Sequence, residues 1–119
     1  MILVDTSVWI DFLHGGDVGL DELLEGDEVG QHPFVVGELA LGSIRSRSEV
    51  LGLLLNLTEF PSLNSDEVLD LIEMHRLWGR GLSLVDAALL GSVLITPGSR
   101  LWTRDKRLAD AAKKLGVAF

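Results

Sequence analysis

The opening of the chain constrains its fold more than any other segment. Ile2, Leu3 and Val4 form a short apolar run rich in β-branched side chains, and the run ends on Asp5. Such a run predicts a buried strand, because a strand covered on both faces carries apolar side chains at every position. The sequence therefore predicts a buried first strand that ends on a carboxylate.

Strands and helices alternate along the rest of the chain. Further strands are expected at residues 28–32, 59–60 and 101–103, with an edge strand at 117–119. Helices are expected at residues 6–13, 20–24, 34–44, 49–57, 65–77, 84–95 and 105–115. This order predicts an α/β fold: one domain over residues 1–119 with a short, mostly parallel β-sheet flanked by α-helices on both faces.

Composition narrows the chemistry that such a domain can carry. The chain has no cysteine, which excludes disulfides and thiolate metal sites, so a metal would need carboxylates, histidines or carbonyls. The first residues lack the basic start of a signal peptide, and no run reaches about 18 uncharged apolar residues. We therefore expect a cytoplasmic protein with no membrane partner.

The charge of the chain is strongly uneven. The net charge is −8, but residues 1–44 hold nine acids and no Lys or Arg, so the remainder is close to neutral. An acidic chain disfavours nucleic acid, whose phosphates need cations. A basic face can still form from the later cations, which otherwise are ordinary solvated charges: Arg45, Arg47, Arg76, Arg80, Arg100, Arg104, Lys106 and Arg107.

Two acids follow strands that lie about 100 residues apart in sequence. Asp5 ends the first strand, and Asp105 comes two residues after Thr103, at the end of a later strand. Ligands of open α/β sheets bind beyond the carboxyl ends of the strands. We therefore expect both carboxylates on the same rim of the sheet.

Two further acids lie on apolar helices. Glu38 and Asp86 are surrounded in sequence by apolar residues, and a buried carboxylate is costly unless it is paired or bound to metal. Four acids at one rim would repel one another, and a divalent cation removes that repulsion. Oxygen ligands favour Mg²⁺ or Mn²⁺. The set predicts metal-assisted phosphodiester hydrolysis, with Thr6 or Thr103 holding a water.

Each acid also has a structural interpretation. Asp86 lies three residues after Ser83, which is the spacing of a capping box, and Asp105 can cap the last helix. Glu38 could pair with Arg45. His14, His32 and His75 form no metal pattern and are expected to be structural. Trp9, Trp78 and Trp102 are expected in the core.

Four segments together resemble the motifs of VapC-type PIN-domain toxins. They are Met1 to Asp11 around Asp5, Val36 to Gly42 around Glu38, Leu84 to Leu90 around Asp86, and Leu101 to Leu108 around Asp105. The motifs lie in the family's order across nearly the whole chain. Each motif alone is weak, and their combination is fairly specific.

The resemblance implies a PIN domain with endoribonuclease activity. Asp5, Glu38, Asp86 and Asp105 would be the catalytic acids and would bind Mg²⁺ or Mn²⁺. The partners implied are an RNA substrate, a VapB-type antitoxin whose C-terminal segment covers the site, and a second copy in a homodimer. Arg45, Arg104 and Arg107 are candidates for contacts with RNA phosphate.

One position departs from the family's pattern. Many members carry a further Asp followed by Phe after the last motif, and here Arg107 and Leu108 stand in those places. The site then holds four acids rather than five, which leaves the number of metal ions open. The acidic helices near the site, with Asp11 and Asp17, are expected to receive a basic antitoxin segment.

Two alternatives to a nuclease remain open. A receiver domain, which accepts a phosphoryl group on an Asp, has similar length and element order, but it needs an acidic pair after the first strand. Asp5 is followed by Thr6 and Ser7 instead. A PIN-fold module that binds without turnover is the second alternative.

Overall fold

Seven helices and four short strands alternate in a computed structural model that describes residues 1–119. The elements are β1 (Ile2–Val4), α1 (Thr6–Gly15), α2 (Val18–Glu25), β2 (Val29–Gln31), α3 (Pro33–Leu41), α4 (Arg47–Leu55), β3 (Thr58–Glu59), α5 (Ser65–His75), α6 (Leu84–Leu94), β4 (Arg100–Trp102) and α7 (Lys106–Lys114). The predicted α/β order is confirmed. None of the helices is long and apolar enough to cross a membrane.

All four strands run parallel, in the order β3-β2-β1-β4. The chain steps outward from β1 through β2 to β3, and it later returns to place β4 on the other side of β1. In β1, Leu3 pairs with Gly30 of β2 and with Leu101 of β4. The order therefore reverses between β1 and β4, and such a switch point is where open α/β sheets bind ligands.

The predicted edge strand at residues 117–119 is reduced to a single parallel bridge. Leu101 donates its N–H to the Val117 carbonyl and accepts from the Phe119 N–H, which leaves one bridge between Leu101 and Ala118. The segment still covers the free side of β4, and that cover protects an otherwise unpaired edge.

The core lies between the sheet and the helices. Leu3, Val4, Leu89, Leu90, Leu101 and Leu108 are fully or almost fully buried. Helix α6 is buried at every position from Ala87 to Val93, as its unbroken apolar sequence predicts. That helix carries Asp86 in its first turn, so one candidate site residue belongs to the helix with the most buried residues.

Helix α3 differs from the expectation of a largely buried helix. Only Val35 and Leu39 are buried, whereas Phe34 is 50% exposed and Leu41 is 91% exposed. The helix is apolar on every side, so its sequence could not show which side packs, and only the side toward α1 and α4 is covered. The result is an apolar surface beside Glu38.

Helix α5 also ends earlier than predicted. It ends at His75, because Arg76 adopts a left-handed conformation with φ of 51° and closes the helix. Trp78 consequently lies in the following loop and is 57% exposed, so the prediction that it belongs to the core was wrong. Trp9 is buried as expected, and Trp102 is half-buried.

His32 has the structural role that was expected of it. Its Nδ1 accepts a hydrogen bond from the Phe34 N–H and so caps helix α3, and the residue is only 1% exposed. Burial lowers the pKa of His32 below 6.5, although the negative charge of Glu59 opposes that effect. Burial therefore favours the neutral imidazole, whose Nδ1 lone pair the cap requires.

Candidate active site

Asp5 lies at the switch point of the sheet. Its N–H donates to the Trp102 carbonyl at 2.8 Å, which continues the β1–β4 pairing by one residue. The residue is 7% exposed, and its Oδ2 accepts from Thr103 Oγ1 at 2.7 Å and from Ser7 Oγ at 2.9 Å. A buried carboxylate needs donors of this kind. The two hydroxyls therefore fix the orientation of Asp5.

Asp105 is connected to Asp5 through one hydroxyl group. Thr103 Oγ1 donates to Asp5 and accepts from the Asp105 N–H at 3.0 Å. Asp105 Oδ1 also accepts from the N–H groups of Arg107 and Leu108, at 2.9 and 3.0 Å, so it caps α7 as the structural interpretation predicted. The expected placement of Asp5 and Asp105 on one rim is confirmed.

Asp86 approaches the same rim from helix α6. Its Oδ2 accepts from the Ser83 N–H at 2.9 Å and its own N–H donates to Ser83 Oγ at 3.0 Å, which completes the predicted capping box. Burial raises the pKa of Asp86, the hydrogen bonds from Ser83 oppose that rise, and the charges of Asp5 and Asp105 add to it. The three carboxylates therefore lie close enough to repel one another.

Glu38 lies at the edge of this group. Thr6 Oγ1 donates to Glu38 Oε1 at 2.6 Å, across 32 residues of sequence, and this bond ties helix α3 to the residue after Asp5. Glu38 is exposed, and no ion pair joins it to Arg45, so that structural interpretation was wrong. Thr6 thus links Glu38 to the carboxyl end of β1, near which Asp5, Asp86 and Asp105 lie.

A common pattern links these four carboxylates. Each uses one oxygen to accept hydrogen bonds from the protein, and its second oxygen has no protein donor. The second oxygens are Asp5 Oδ1, Glu38 Oε2, Asp86 Oδ1 and Asp105 Oδ2. As they stand, no three His, Asp or Glu side chains are arranged so that they could hold a metal ion. In chemistry, a set of carboxylate oxygens suits a hard divalent cation.

The hydroxyl groups near the strand end bind the acids. Thr6 and Thr103 both donate to carboxylates, and the expectation that one of them holds a metal-bound water stays a prediction. Ser7 was not among the predicted site residues, yet its Oγ donates to Asp5 and accepts from the Arg104 N–H at 3.0 Å. The signal in the sequence was the pair of hydroxyl residues directly after a strand-end acid.

The three candidate arginines have different surroundings. Arg104 pairs with Asp11 at 2.7 Å and with Asp17 at 2.8 Å, and its guanidinium lies 5.9 Å from the Trp102 ring centre. Arg45 lines a depression with His14 and Ser43 at the other end of α1. Arg107 is exposed, belongs to no ion pair, and follows Asp105 by two residues.

The fold and the ring of acids at its switch point define the class of protein. The family described as "PIN domain" matches residues 2–114, so the chain belongs to the PIN-domain family. The proteins named Ribonuclease VapC32 in two strains of Mycobacterium tuberculosis are 61% identical over 119 residues, which is 100% of this chain and 96% of theirs.

A solved structure gives the same architecture. The crystal structure of PAE2754 from Pyrobaculum aerophilum superimposes with a TM-score of 0.67 over 99% of this chain and 87% of that chain. The two sequences are 20% identical, so the likeness concerns the fold. The PIN fold predicted from the sequence is therefore confirmed.

Asp86→Asn is expected to raise the thermal midpoint of the metal-free protein by a few degrees. The pKa of Asp86 in the folded state lies above its ordinary value of 3.8. The stability of the fold therefore falls as the pH rises from 3.8 through the folded-state pKa, and at neutral pH the whole loss of stability from ionising Asp86 is present. The amide removes that cost and still accepts from the Ser83 N–H. Thermal unfolding at neutral pH with a chelator measures the change.

Asp66→Asn is the matched control, because Asp66 is also a first-turn carboxylate but lies on α5. Its loss removes only a favourable helix-dipole interaction, so the midpoint should stay or fall slightly. A fall for Asp86→Asn as large as that for Asp66→Asn would contradict the repulsion at the rim.

Proposed function

We propose that the chain is a Mg²⁺- or Mn²⁺-dependent endoribonuclease and the toxin of a toxin–antitoxin pair. The observation that carries the proposal is the quartet Asp5, Glu38, Asp86 and Asp105 around the end of β1, in a PIN domain 61% identical to proteins named Ribonuclease VapC32. RNA and an antitoxin are both cytoplasmic, so we place the activity in the cytoplasm.

The cation would be held by the four carboxylates through the oxygens that lack protein donors. When bound, a divalent cation supplies counter-charge and Lewis acidity for hydrolysis of a phosphodiester bond. The observation that supports its fit is the raised pKa of Asp86, since burial and the nearby charges of Asp5 and Asp105 disfavour its ionised form. Cation binding should therefore displace a proton from Asp86 when the pH is low enough to protonate it.

The chain's own residues prepare the site for substrate. Thr103 and Ser7 hold Asp5, Thr6 holds Glu38, and Ser83 holds Asp86. Each hydroxyl or N–H donor restricts one carboxylate to one orientation. Such preorganisation matters because a site that is already oriented needs little reorganisation during the reaction.

The receiver alternative is not supported. Receiver domains have the sheet order 2-1-3-4-5, whereas this sheet has four strands in the order β3-β2-β1-β4. The match to the PIN family over residues 2–114 also excludes it. A PIN-fold module without turnover would bind RNA and leave it intact, and the next experiment separates it from a nuclease.

Asp5→Asn is expected to reduce metal-dependent cleavage of RNA at least about a hundredfold, because the amide keeps the hydrogen bonds from Thr103 and Ser7 but removes the central charge. The measurement incubates purified protein, free of antitoxin, with total bacterial RNA and Mn²⁺ or Mg²⁺, and maps the new RNA ends. Discrete cuts by the unaltered chain would also identify the target.

Asp21→Asn serves as the control, because Asp21 is an exposed acid in the first turn of α2. It should cleave like the unaltered chain. Cleavage that continues unchanged in Asp5→Asn would show that the quartet is not the active site, and RNA bound without any metal-dependent cuts would favour the non-catalytic module.

An apolar groove beside the acidic helices offers a binding surface for the antitoxin. A groove of about 300 Å³ between α1, α2 and α4 is lined only by apolar side chains: Trp9, Phe12, Leu13, Leu24, Val50, Leu53, Leu54 and Leu57. Helices α1 and α2 carry acids and no Lys or Arg. We propose that this groove receives an apolar and basic segment of the antitoxin.

Asp11 and Asp17 are less available to that segment than the sequence suggested. Both pair with Arg104. A basic antitoxin side chain would have to displace Arg104, so neutralising Asp11 and Asp17 should have a smaller effect on antitoxin affinity than disrupting the apolar groove. The apolar contacts are therefore the better target for a test.

Leu53→Glu is expected to weaken antitoxin binding at least about tenfold, because it places a charge in the apolar groove. Leu55→Glu is the matched control: both leucines lie on α4, with exposures of 69% and 63%, but only Leu53 lines the groove. The antitoxin encoded beside the toxin would be titrated against each variant. Equal losses of affinity would contradict this placement.

A second copy of the chain is proposed to cover the apolar surface beside Glu38. Phe34, Leu41, Leu69 and Leu84 are 50–91% exposed there, and Phe34 lines two adjoining apolar depressions. Exposed patches of this kind mark interfaces.

Leu69→Glu should therefore convert a dimer to a monomer in sedimentation equilibrium, while Leu55→Glu should remain dimeric. An unaltered state for both variants would exclude this surface.

A further inference from the structure

Arg107 occupies a helix position that a cation normally avoids. It lies in the first turn of α7, where Lys106 precedes it and no acid is present. The positive end of the helix dipole disfavours cations there. Helix stability therefore does not account for Arg107, and a residue that breaks a local rule without a local gain is often functional.

The side chain of Arg107 lies directly over Gly81. A Cβ atom at residue 81 would be 2.7 Å from Arg107 Cδ and 2.8 Å from Arg107 Nη1. Only a residue without a side chain allows this approach, and Gly81 also has a φ of 73°. The long arginine side chain thus lies against the loop before α6.

The surroundings leave the guanidinium of Arg107 without a charged partner. It forms no ion pair and no side-chain hydrogen bond, although Arg104, three residues earlier, pairs with two acids. In the same loop as Gly81, Arg80 Nη2 is buried and has no hydrogen-bond partner. Two guanidinium groups therefore carry donors that the protein does not use.

The position of Arg107 relative to the acids suggests its ligand. Its N–H donates to Asp105, and Gly81 lies two residues before Ser83, which caps the helix of Asp86. The acidic rim alone would repel the phosphates of RNA. A planar guanidinium beside that rim can bind a phosphate through two hydrogen bonds.

We propose that Arg107, held against Gly81, forms a phosphate-binding subsite that positions the RNA strand next to the acidic rim. This inference rests on the proposed ribonuclease function. It also distinguishes Arg107 from Arg104, which is paired, and from Arg45, which lies at the far end of α1. Gly81 acts as a positioning residue, because it determines where the guanidinium lies.

Binding is measured in the Asp5→Asn background, so that RNA stays intact. The probe is a fluorescein-labelled single-stranded RNA of mixed sequence, titrated over a range of salt concentrations. Arg107→Ala should weaken binding about tenfold and lower the salt slope by about one. Lys106→Ala removes the same charge from the same helix turn and should cost distinctly less.

A second matched pair tests the role of Gly81. Gly81→Ala should weaken RNA binding about as much as Arg107→Ala, because the new Cβ displaces the arginine side chain. Gly79→Ala is the control: Gly79 has a similar φ of 70°, but nothing lies within 4 Å of its Cβ position. If Gly81→Ala does not fold, Arg107→Lys decides, since it keeps the charge and should still lose several-fold in affinity.

Three results would overturn the subsite. The first is an equal loss of RNA affinity in Arg107→Ala and Lys106→Ala. The second is an equal loss in Gly81→Ala and Gly79→Ala when both proteins fold, and the third is full RNA affinity in Arg107→Lys. Cleavage of total bacterial RNA separates this failure from that of the proposed function. If the unaltered chain cuts RNA and the Arg107 and Gly81 variants cut it equally well, only the subsite fails. If the variants bind RNA in the predicted order of affinity but the unaltered chain never cuts RNA, only the proposed nuclease activity fails.

Discussion

The parallel pairing of β1 with β4 is the constraint on which the site depends. Because β1 lies between β2 and β4, its last residue is covered on both sides, and Asp5 becomes a buried carboxylate at the point where strand order reverses. The same pairing brings Thr103 beside Asp5 and, through Thr103, Asp105. Residues 98 positions apart are thereby joined by one hydrogen bond.

Collecting acids at this point has a cost that the chain offsets with neutral donors. Hydroxyl groups and backbone N–H groups satisfy one oxygen of each carboxylate, and no arginine or lysine pairs with any of the four. A cation from the protein would relieve the repulsion permanently and would compete with a metal. Neutral donors orient the acids and leave part of the repulsion in place: burial is the main cause of the raised pKa of Asp86, and the charges of Asp5 and Asp105 add to it.

Local signals in the sequence predicted much of this arrangement. Strand-end position was enough to place Asp5 and Asp105 on one rim, and the spacing from Ser83 predicted the capping box of Asp86. Both inferences depend on a few neighbouring residues and on the rule that parallel strands end at the same edge. The element order followed from the same kind of evidence.

Contacts between distant side chains could not be predicted. The bond from Thr6 to Glu38 depends on how α3 packs against α1, and the exposure of Phe34 and Leu41 depends on the same packing. Helix α3 is apolar on all sides, so hydrophobic periodicity could not identify its buried face. The approach of Arg107 to Gly81 likewise requires the relative placement of α7 and the loop before α6.

The two arginines that flank Asp105 show how the uneven charge of the chain serves the site. Arg104 binds Asp11 and Asp17, so the acidic N-terminal helices are tied to the end of β4, and their charge is partly neutralised there. That engagement leaves Lys106 and Arg107, which follow Asp105, as cations without an acidic partner. A net charge of −8 is therefore compatible with RNA binding, because Asp11 and Asp17 are paired and these cations are free. The local distribution of charge, rather than the total, determines which ligand this rim can accept.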